Sequence, residues 1–354
     1  MPHPWLQITL TDYEAHLALP SMKQAELRGD LLVRVVACVE LRTLAHMKNL
    51  VRNLYLACIL AATLVAHRTH AADPTNSFPK WKRPVMTWVA PYAVAKSKAR
   101  LAESFDGVGM KNALTHLGLQ FWVPTSDGGI ARAGRTNDTS DIAIIELRDW
   151  GRTNGVRVLL CSYNGAKSWD WPLARSGFAA NPKKFTDALL AEVNRLQLDG
   201  VDIDLEGNGS FDEDKDAFVA FIRNLSSRLH AEGRQLTMDT FSYKWNAPNQ
   251  TWWKDLLPHV DGLTTMGYEE IGAKAPDWRG YAFQKAAAGK HASKLMIGLP
   301  SGRNEWRGNS VAEHLKWLKD DGEVGVSFWD AQLKSEAWCK PEIWQALGEF
   351  RGKP

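Results

Sequence analysis

From about residue 84 onward, the chain repeats one pattern. Short apolar runs rich in β-branched residues alternate with longer stretches whose apolar positions recur at helical spacing. The runs are Val85–Ala90, Leu117–Val123, Val156–Ser162, Gly200–Leu205, Leu236–Phe241, Gly262–Tyr268, Leu295–Leu299 and Gly325–Trp329. Their length and their bounding polar segments predict eight buried strands. Asn181–Leu196, Asp212–His230 and Val311–Lys319 carry the helical pattern between strands, and Pro341–Phe350 follows the last one. The helix at Asp212 opens with acidic residues, which the positive end of its dipole favours. Eight strands alternating with helices predict an α/β protein, a closed (β/α)8 TIM barrel, in preference to an open doubly wound sheet. No GxGxxG follows the first run, which argues against a dinucleotide fold. About two dozen residues join the last two runs, too few for a large insertion domain.

The first part of the chain reads differently. Met47 begins a segment with Lys48 and Arg52 as a basic start, an apolar run from Leu54 to Ala66, and small residues near Ala71. That is the pattern of a secretory signal over 47–72, and the run falls short of the roughly 20 apolar residues of a membrane span. A signal there leaves residues 1–46 as a gene-start artefact or a disordered extension. Residues 73–83, with Pro74 and Pro79, form a lead-in, and 84–354 form the barrel. The expected location is therefore secreted or periplasmic. A core helix is the alternative for 54–66.

Composition narrows the partners. A formal charge of +3 over 354 residues, with no run of like charge, does not suggest nucleic acid. Residues 1–72 hold seven Lys/Arg and five Asp/Glu, so losing them lowers the charge to +1, which suits a neutral polymer. Sixteen Trp residues are compatible with a large core or with flat platforms for sugar rings. Of four cysteines only Cys161 and Cys339 lie beyond residue 72, and none has metal spacing. They read as isolated thiols, although an oxidising compartment would permit a pair.

The most informative segment is Leu198-Asp199-Gly200-Val201-Asp202-Ile203-Asp204-Leu205-Glu206. Strand side chains alternate, so Val201, Ile203 and Leu205 share one face while Asp202, Asp204 and Glu206 share the other. In a barrel the aliphatic face packs on the helices, and the acids rise in line toward the carboxyl end, where barrel active sites lie. Stacked carboxyls in a partly buried place cannot all ionise, and the outermost gains a raised pKa. That makes Glu206 a candidate general acid. A solvated strand face and a divalent-metal site are the alternatives; no metal or other cofactor is expected.

These residues resemble glycoside hydrolase family 18, whose fourth-strand signature D-x-x-D-x-D-x-E is matched by Asp199, Asp202, Asp204 and Glu206. Other segments follow in the family's order. Ser162-Tyr163-Asn164-Gly165 is similar to its third-strand S-x-G-G, with Asn164 in place of the first Gly. Met266-Gly267-Tyr268-Glu269 is similar to its M-x-Y-D, with Glu269 in place of Asp. The resemblance covers about 84–350 and implies a retaining, substrate-assisted glycosidase in which the substrate's acetamido oxygen is the nucleophile. It implies Glu206 as acid and then base, Asp204 as acceptor of the acetamido N–H, Tyr268 as holder of the acetamido carbonyl end, and Asp202 as sharer of a proton with Asp204. Asp199 is expected to hold backbone at the start of the strand, and Ser162 and Gly165 to shape the third strand. Asn164 is expected to matter little, and Glu269 to alter substrate preference. Trp329 would form the floor of the sugar site beside Met266. Tyr92, Trp122, Trp169, Trp171, Trp245 and Trp306 follow strand ends and are further candidates for the groove, with core packing as the alternative for each. The implied partner is a polysaccharide or glycan containing N-acetylglucosamine, cut by a monomer. The readings left open are an endo-acting chitinase, an endo-β-N-acetylglucosaminidase of N-glycan cores, and a non-catalytic sugar-binding protein of the same fold.

Overall fold

The period-two alternation within each run decides the architecture. In the computed structural model, residues 78–134, 138–165, 169–268, 278–299, 301, 315–316, 318–320, 324–334 and 336–352 are described. The candidate leader, the segment before it, Glu269, Trp306 and most of Val311–Lys319 lie outside them. The strands are β1 (Val85–Val89), β2 (His116–Pro124), β3 (Ile130–Arg132), β4 (Arg157–Tyr163), β5 (Gly200–Asp204), β6 (Gln235–Thr240), β7 (Gly262–Thr265), β8 (Leu295–Leu299) and β9 (Gly325–Phe328). All but β3 run parallel in chain order, and β1 pairs with both β2 and β9, so the sheet closes on itself. This is the eight-stranded (β/α)8 barrel that the alternating pattern predicts. β3 is an addition: it folds back antiparallel on β2 after a turn at Thr125–Gly129.

Parity sorts the side chains into two layers. Leu117, Leu119, Val158, Leu160, Val201, Ile203, Leu236 and Met238 point outward into the continuous apolar layer under the helices. Each such buried aliphatic side chain contributes about 1.5–3 kcal/mol. Met86, Trp88, Leu159, Cys161 and Met296 form a separate cluster inside the barrel, with Trp329 packed against it. The helices are held by local chemistry. Ser140 caps Asp141–Asn154 by accepting from Ala143 N–H at 3.3 Å, and Gly155, in the left-handed region at φ 67°, ends it. Helix Pro182–Leu196 ends at Gln197, also left-handed, and the chain turns at once into β5.

One irregularity corrects the expectation for Trp122. Between Gln120 and Trp122, β2 carries one more residue than β4, a bulge that puts Phe121 and Trp122 both into the outer layer. Strict alternation would aim Trp122 at the groove. Instead it is buried, donates from Nε1 to Glu192 Oε1 at 3.1 Å and lies under the Arg132 guanidinium at 4.6 Å. Ser162, paired with Trp122, shares the outer parity of Val158 and Leu160, so its hydroxyl faces away from the barrel interior. Trp171 is likewise not a groove residue. It is buried among Phe178, Phe211 and Phe218, and donates to Asp214 Oδ2 at 2.8 Å.

The interior has room for a tryptophan because its neighbour on β2 is a glycine. A Cβ on Gly118 would stand 2.4 Å from Trp88 Cδ1. Gly118→Ala is therefore expected to destabilise the barrel by about 1–3 kcal/mol through overpacking. Urea unfolding, followed by tryptophan fluorescence, measures this against Gly233→Ala, where a Cβ meets nothing but the backbone conformation at φ 70° is strained.

Candidate active site

The acids of β5 enter the barrel as its alternation requires, and each inner one is met by donors from other strands, β1 and β6 for Asp202 and β2 for Asp204. Asp202 is fully buried and accepts from Trp88 Nε1 at 2.8 Å and from Thr237 Oγ1 at 2.5 Å. Asp204 accepts from Gln120 Nε2 at 2.7 Å through Oδ2, while its Oδ1 has no partner among the described residues. Asp199 has the opposite parity. Its carboxylate accepts from Val158 N–H at 2.7 Å and ties the start of β5 to β4.

A fourth carboxyl completes the group. Asp239 on β6 is buried beside Asp202 and Asp204. The signal for it was the parity of β6: Leu236 and Met238 point outward, so Thr237 and Asp239 point in. Burial raises the proton affinity of every member. Asp204 is pushed up to about 7, by burial first and then by the neighbouring Asp202 charge. Asp202 and Asp239 are raised chiefly by burial, and Asp239 further by the charges of Asp202 and Asp204. Cys161, paired with Asp202 across β4 and β5, is raised for the same reasons and is a thiol rather than a nucleophile. Neither it nor Cys339 is in a disulfide.

Glu206 stands at the mouth, partly exposed, two residues past the end of β5. Its carboxyl is raised well above the usual range by burial, then by the Asp204 charge. Asn164 holds its backbone: Oδ1 accepts from Glu206 N–H and Nδ2 donates to Glu206 C=O, both at 2.8 Å. Tyr268 sits near the same carboxyls, which together with burial raise its hydroxyl. Gly298 leaves space for its ring, since a Cβ there would come within 2.8 Å of Tyr268 Cδ1.

Trp329 follows β9 and packs on Trp88, ring centroids 5.8 Å apart, directly linking the mouth to the donor of Asp202. Met266 follows β7, half-buried, its N–H bonded to Thr240 C=O. Tyr92 is exposed and its hydroxyl reaches Asp330 Oδ2 at 3.3 Å; Asp330 also accepts from Gln332 N and Nε2. On the β4 and β6 side, Trp169, Phe241, Tyr243 and Trp245 form a continuous row of rings at 5.3, 5.3 and 4.0 Å, the last pair stacked at 11°. Trp245 and Trp169 end this row exposed. Gly165 admits the Trp169 indole, with a Cβ position 3.3 Å from Cδ1.

The ligand atoms of Cys161, Asp204 and Asp239 all lie within 4.8 Å of one another. A cation there would need all three groups deprotonated, whereas burial drives each toward its neutral form. The set is suited to sharing protons.

The sequence matches the family described as Glycosyl hydrolases family 18 over residues 92–347. The chain belongs to glycosyl hydrolase family 18. No curated protein sequence matches it. Among solved structures, a chitinase from Chromobacterium violaceum is similar at 16% identity, covering 77% of this chain and 100% of that one, with a TM-score of 0.59. The Group IV chitinase of Ostrinia furnacalis is similar at 12% identity, covering 76% and 98%, with a TM-score of 0.60. The spore cortex-lytic enzyme SleL of Bacillus cereus is similar at 14% identity, covering 76% and 74%, with a TM-score of 0.56. At these identities the likeness is one of fold, and it is the glycoside hydrolase family 18 barrel. In this family 18 member the D-x-x-D-x-D-x-E motif runs from Asp199, just before β5, to Glu206, two residues past its end.

The raised carboxyls set the pH dependence of stability. A carboxyl whose folded pKa exceeds its unfolded value keeps its proton in the folded state while the unfolded chain releases it. Its stabilisation is complete below the unfolded pKa and is lost as pH rises toward the folded pKa. For Asp204 that window runs from 3.8 to about 7. Asp239→Asn removes one such group, so its unfolding free energy should fall less steeply than wild type above the ordinary carboxyl range, by about 1.4 kcal/mol per pH unit. Urea titrations between pH 4.5 and 7, in steps of roughly half a unit, test this. Parallel curves for the two proteins would show that Asp239 is not held neutral.

Proposed function

We propose that this chitinase-like glycosidase hydrolyses β-1,4-linked N-acetylglucosamine polymers internally, with retention, using the substrate's acetamido oxygen as nucleophile. The observation that carries this reading is the pair formed by Glu206 and Asp204. Glu206 is a carboxyl of raised pKa at the mouth, in hydrogen-bond contact with the Asp204 carboxyl, whose Oδ1 accepts from no nitrogen or hydroxyl donor among the described residues. Protonated Glu206 delivers a proton to the glycosidic oxygen. Asp204 Oδ1 accepts the acetamido N–H, turning the carbonyl oxygen toward the anomeric carbon and stabilising the cyclic oxazolinium ion as it forms. The Tyr268 hydroxyl steadies the acetamido carbonyl end. Glu206, now a carboxylate, takes a proton from the water that opens the ring. The second attack restores the starting configuration.

A protein nucleophile finds less support. Asp330, the carboxyl that follows Trp329, is already engaged by Tyr92 and by Gln332 twice. Trp169 and Trp245, the exposed ends of the row, favour an extended chain, because two separate rings offer stacking faces to more than one sugar. We also infer that the protein is exported and acts as a monomer on a glycan, needing neither nucleic acid nor membrane. Its natural N-terminus would lie near residue 72, which N-terminal sequencing checks.

Glu206→Gln should lower kcat on N-acetylglucosamine oligomers by about 10²–10⁴-fold, the range for loss of a general acid, with the fold retained. Mass spectrometry of the products separates internal cleavage of oligomers from release of N-glycans off a glycoprotein. Oligomers left intact while glycans are released would replace the polymer reading by the glycan one. Tight binding of a thiazoline analogue of the oxazolinium ion supports the acetamido mechanism.

Trp245→Ala should weaken the protein selectively on long substrates. Loss of one stacking platform is worth about 0.5–1.5 kcal/mol, or roughly 2- to 10-fold in KM. Comparing tetramer and hexamer with dimer measures it. An equal effect on every length would remove Trp245 from the groove.

A further inference from the structure

Glu206 stands where β-ladder support has run out. The last rung toward β4 pairs Tyr163 with Asp204, and the last toward β6 pairs Ile203 with Met238. Two residues further on, the backbone of the acid depends on other partners. Asn164, only 2% exposed, supplies both. Its Oδ1 accepts from Glu206 N–H at 2.8 Å and its Nδ2 donates to Glu206 C=O at 2.8 Å. Only one amide orientation satisfies a backbone donor and a backbone acceptor together, so the geometry itself assigns oxygen and nitrogen. The amide acts as one extra rung between β4 and the end of β5.

The next residue is gripped from the other side. Gly207 N–H donates to Ala247 C=O at 2.8 Å, and Ala247 N–H donates to Gly207 C=O at 3.1 Å. A side chain at 207 would collide with Phe211, whose ring carbons lie 2.8 Å from the Cβ position. The peptide carrying the acid is thus held toward β4 by a side chain and toward the β6 loop by backbone.

We infer that Asn164 is a positioning residue for the acid Glu206, standing where the resembled S-x-G-G motif has a glycine that could make neither bond. This rests on the function proposed above. Without the amide, water takes over the two backbone groups and the Glu206 Cα is free to shift. A misplacement of roughly 1 Å at a reacting group costs about 10²-fold in rate.

The test compares two leaving groups in wild type, Asn164→Gly and, as a control, Glu206→Gln. A sugar leaving group needs the acid's proton; a 2,4-dinitrophenolate departs without it. With N-acetylglucosamine tetramer, Asn164→Gly should lose about 10²-fold in kcat with KM within about twofold. With the 2,4-dinitrophenyl glycoside of the dimer, kcat/KM, which reports bond cleavage, should fall less than about fivefold, and thiazoline affinity should stay within about twofold. Should Asn164→Gly not fold, Asn164→Ala, which removes both bonds and adds no charge, is read the same way. Equal losses on both substrates, or no loss on either, overturn the inference while the enzyme's activity stands. Wild-type protein that cleaves neither substrate and binds no thiazoline overturns the proposed function, and the role of Asn164 with it.

Discussion

The structure depends on one electrostatic constraint: three carboxyl groups, with Glu206 above them at the mouth, share a barrel interior whose apolar part is Met86, Trp88, Leu159, Cys161 and Met296. A bare carboxylate in such surroundings costs several kcal/mol, so each must gain a donor or keep a proton. The donors are few. Asp202 takes two, from Trp88 and Thr237, and Asp204 takes one, from Gln120. What donors do not supply, protons must. The interior therefore holds protons, and the outermost member, Glu206, is raised first by its own burial and then by the Asp204 charge.

The same constraint explains the pattern of small and large residues lining the interior. Trp88 reaches Asp202 because Gly118 leaves its indole room. Its ring then supports Trp329 at the mouth. One side chain thereby joins the deepest carboxyl to the proposed floor of the sugar site. On the opposite wall Gly298 makes room for the Tyr268 ring, which brings a hydroxyl into the influence of the same acids. A barrel interior offers little free volume, so each functional side chain that points in requires a small partner on an adjacent strand.

Much of this was readable from sequence because two kinds of regularity carry it. Eight apolar runs give the eight parallel strands, seven of them within a residue or two and the run Gly262–Tyr268 overshooting β7 by three, and the alternation Val201–Leu205 gives the inward line of acids. What escaped falls where regularity breaks or where a signal stands alone. The bulge at Phe121 reverses parity for one residue, and with it the orientation of Trp122, which no spacing rule announces. Asp239 belongs to no motif, yet the parity argument used for β5 would have placed it inside had it been applied to β6. Asn164 was discounted for a different reason. Its role lies in two bonds to a backbone 42 residues away, and long-range pairing of that kind leaves no local trace. Trp171 shows the limit of composition, since a Trp at a strand end packs among phenylalanines as readily as against a sugar.

Placing the acid beyond the strand rather than on it resolves a conflict between two demands. A group on a β rung is rigid, but it lies deep, where the neighbouring carboxyls and the absence of water would hold its proton too firmly for transfer. A group in the loop meets solvent and substrate but drifts. Glu206 occupies the second place with the rigidity of the first, because its peptide is bonded by Asn164 on one side and the following peptide by Ala247 on the other. Its carboxyl stays near enough to Asp204 for the two to influence each other's proton. It also remains exposed enough to meet solvent. The backbone of the acid is thus held by hydrogen bonds from its two sides, and its proton by burial together with the Asp204 charge.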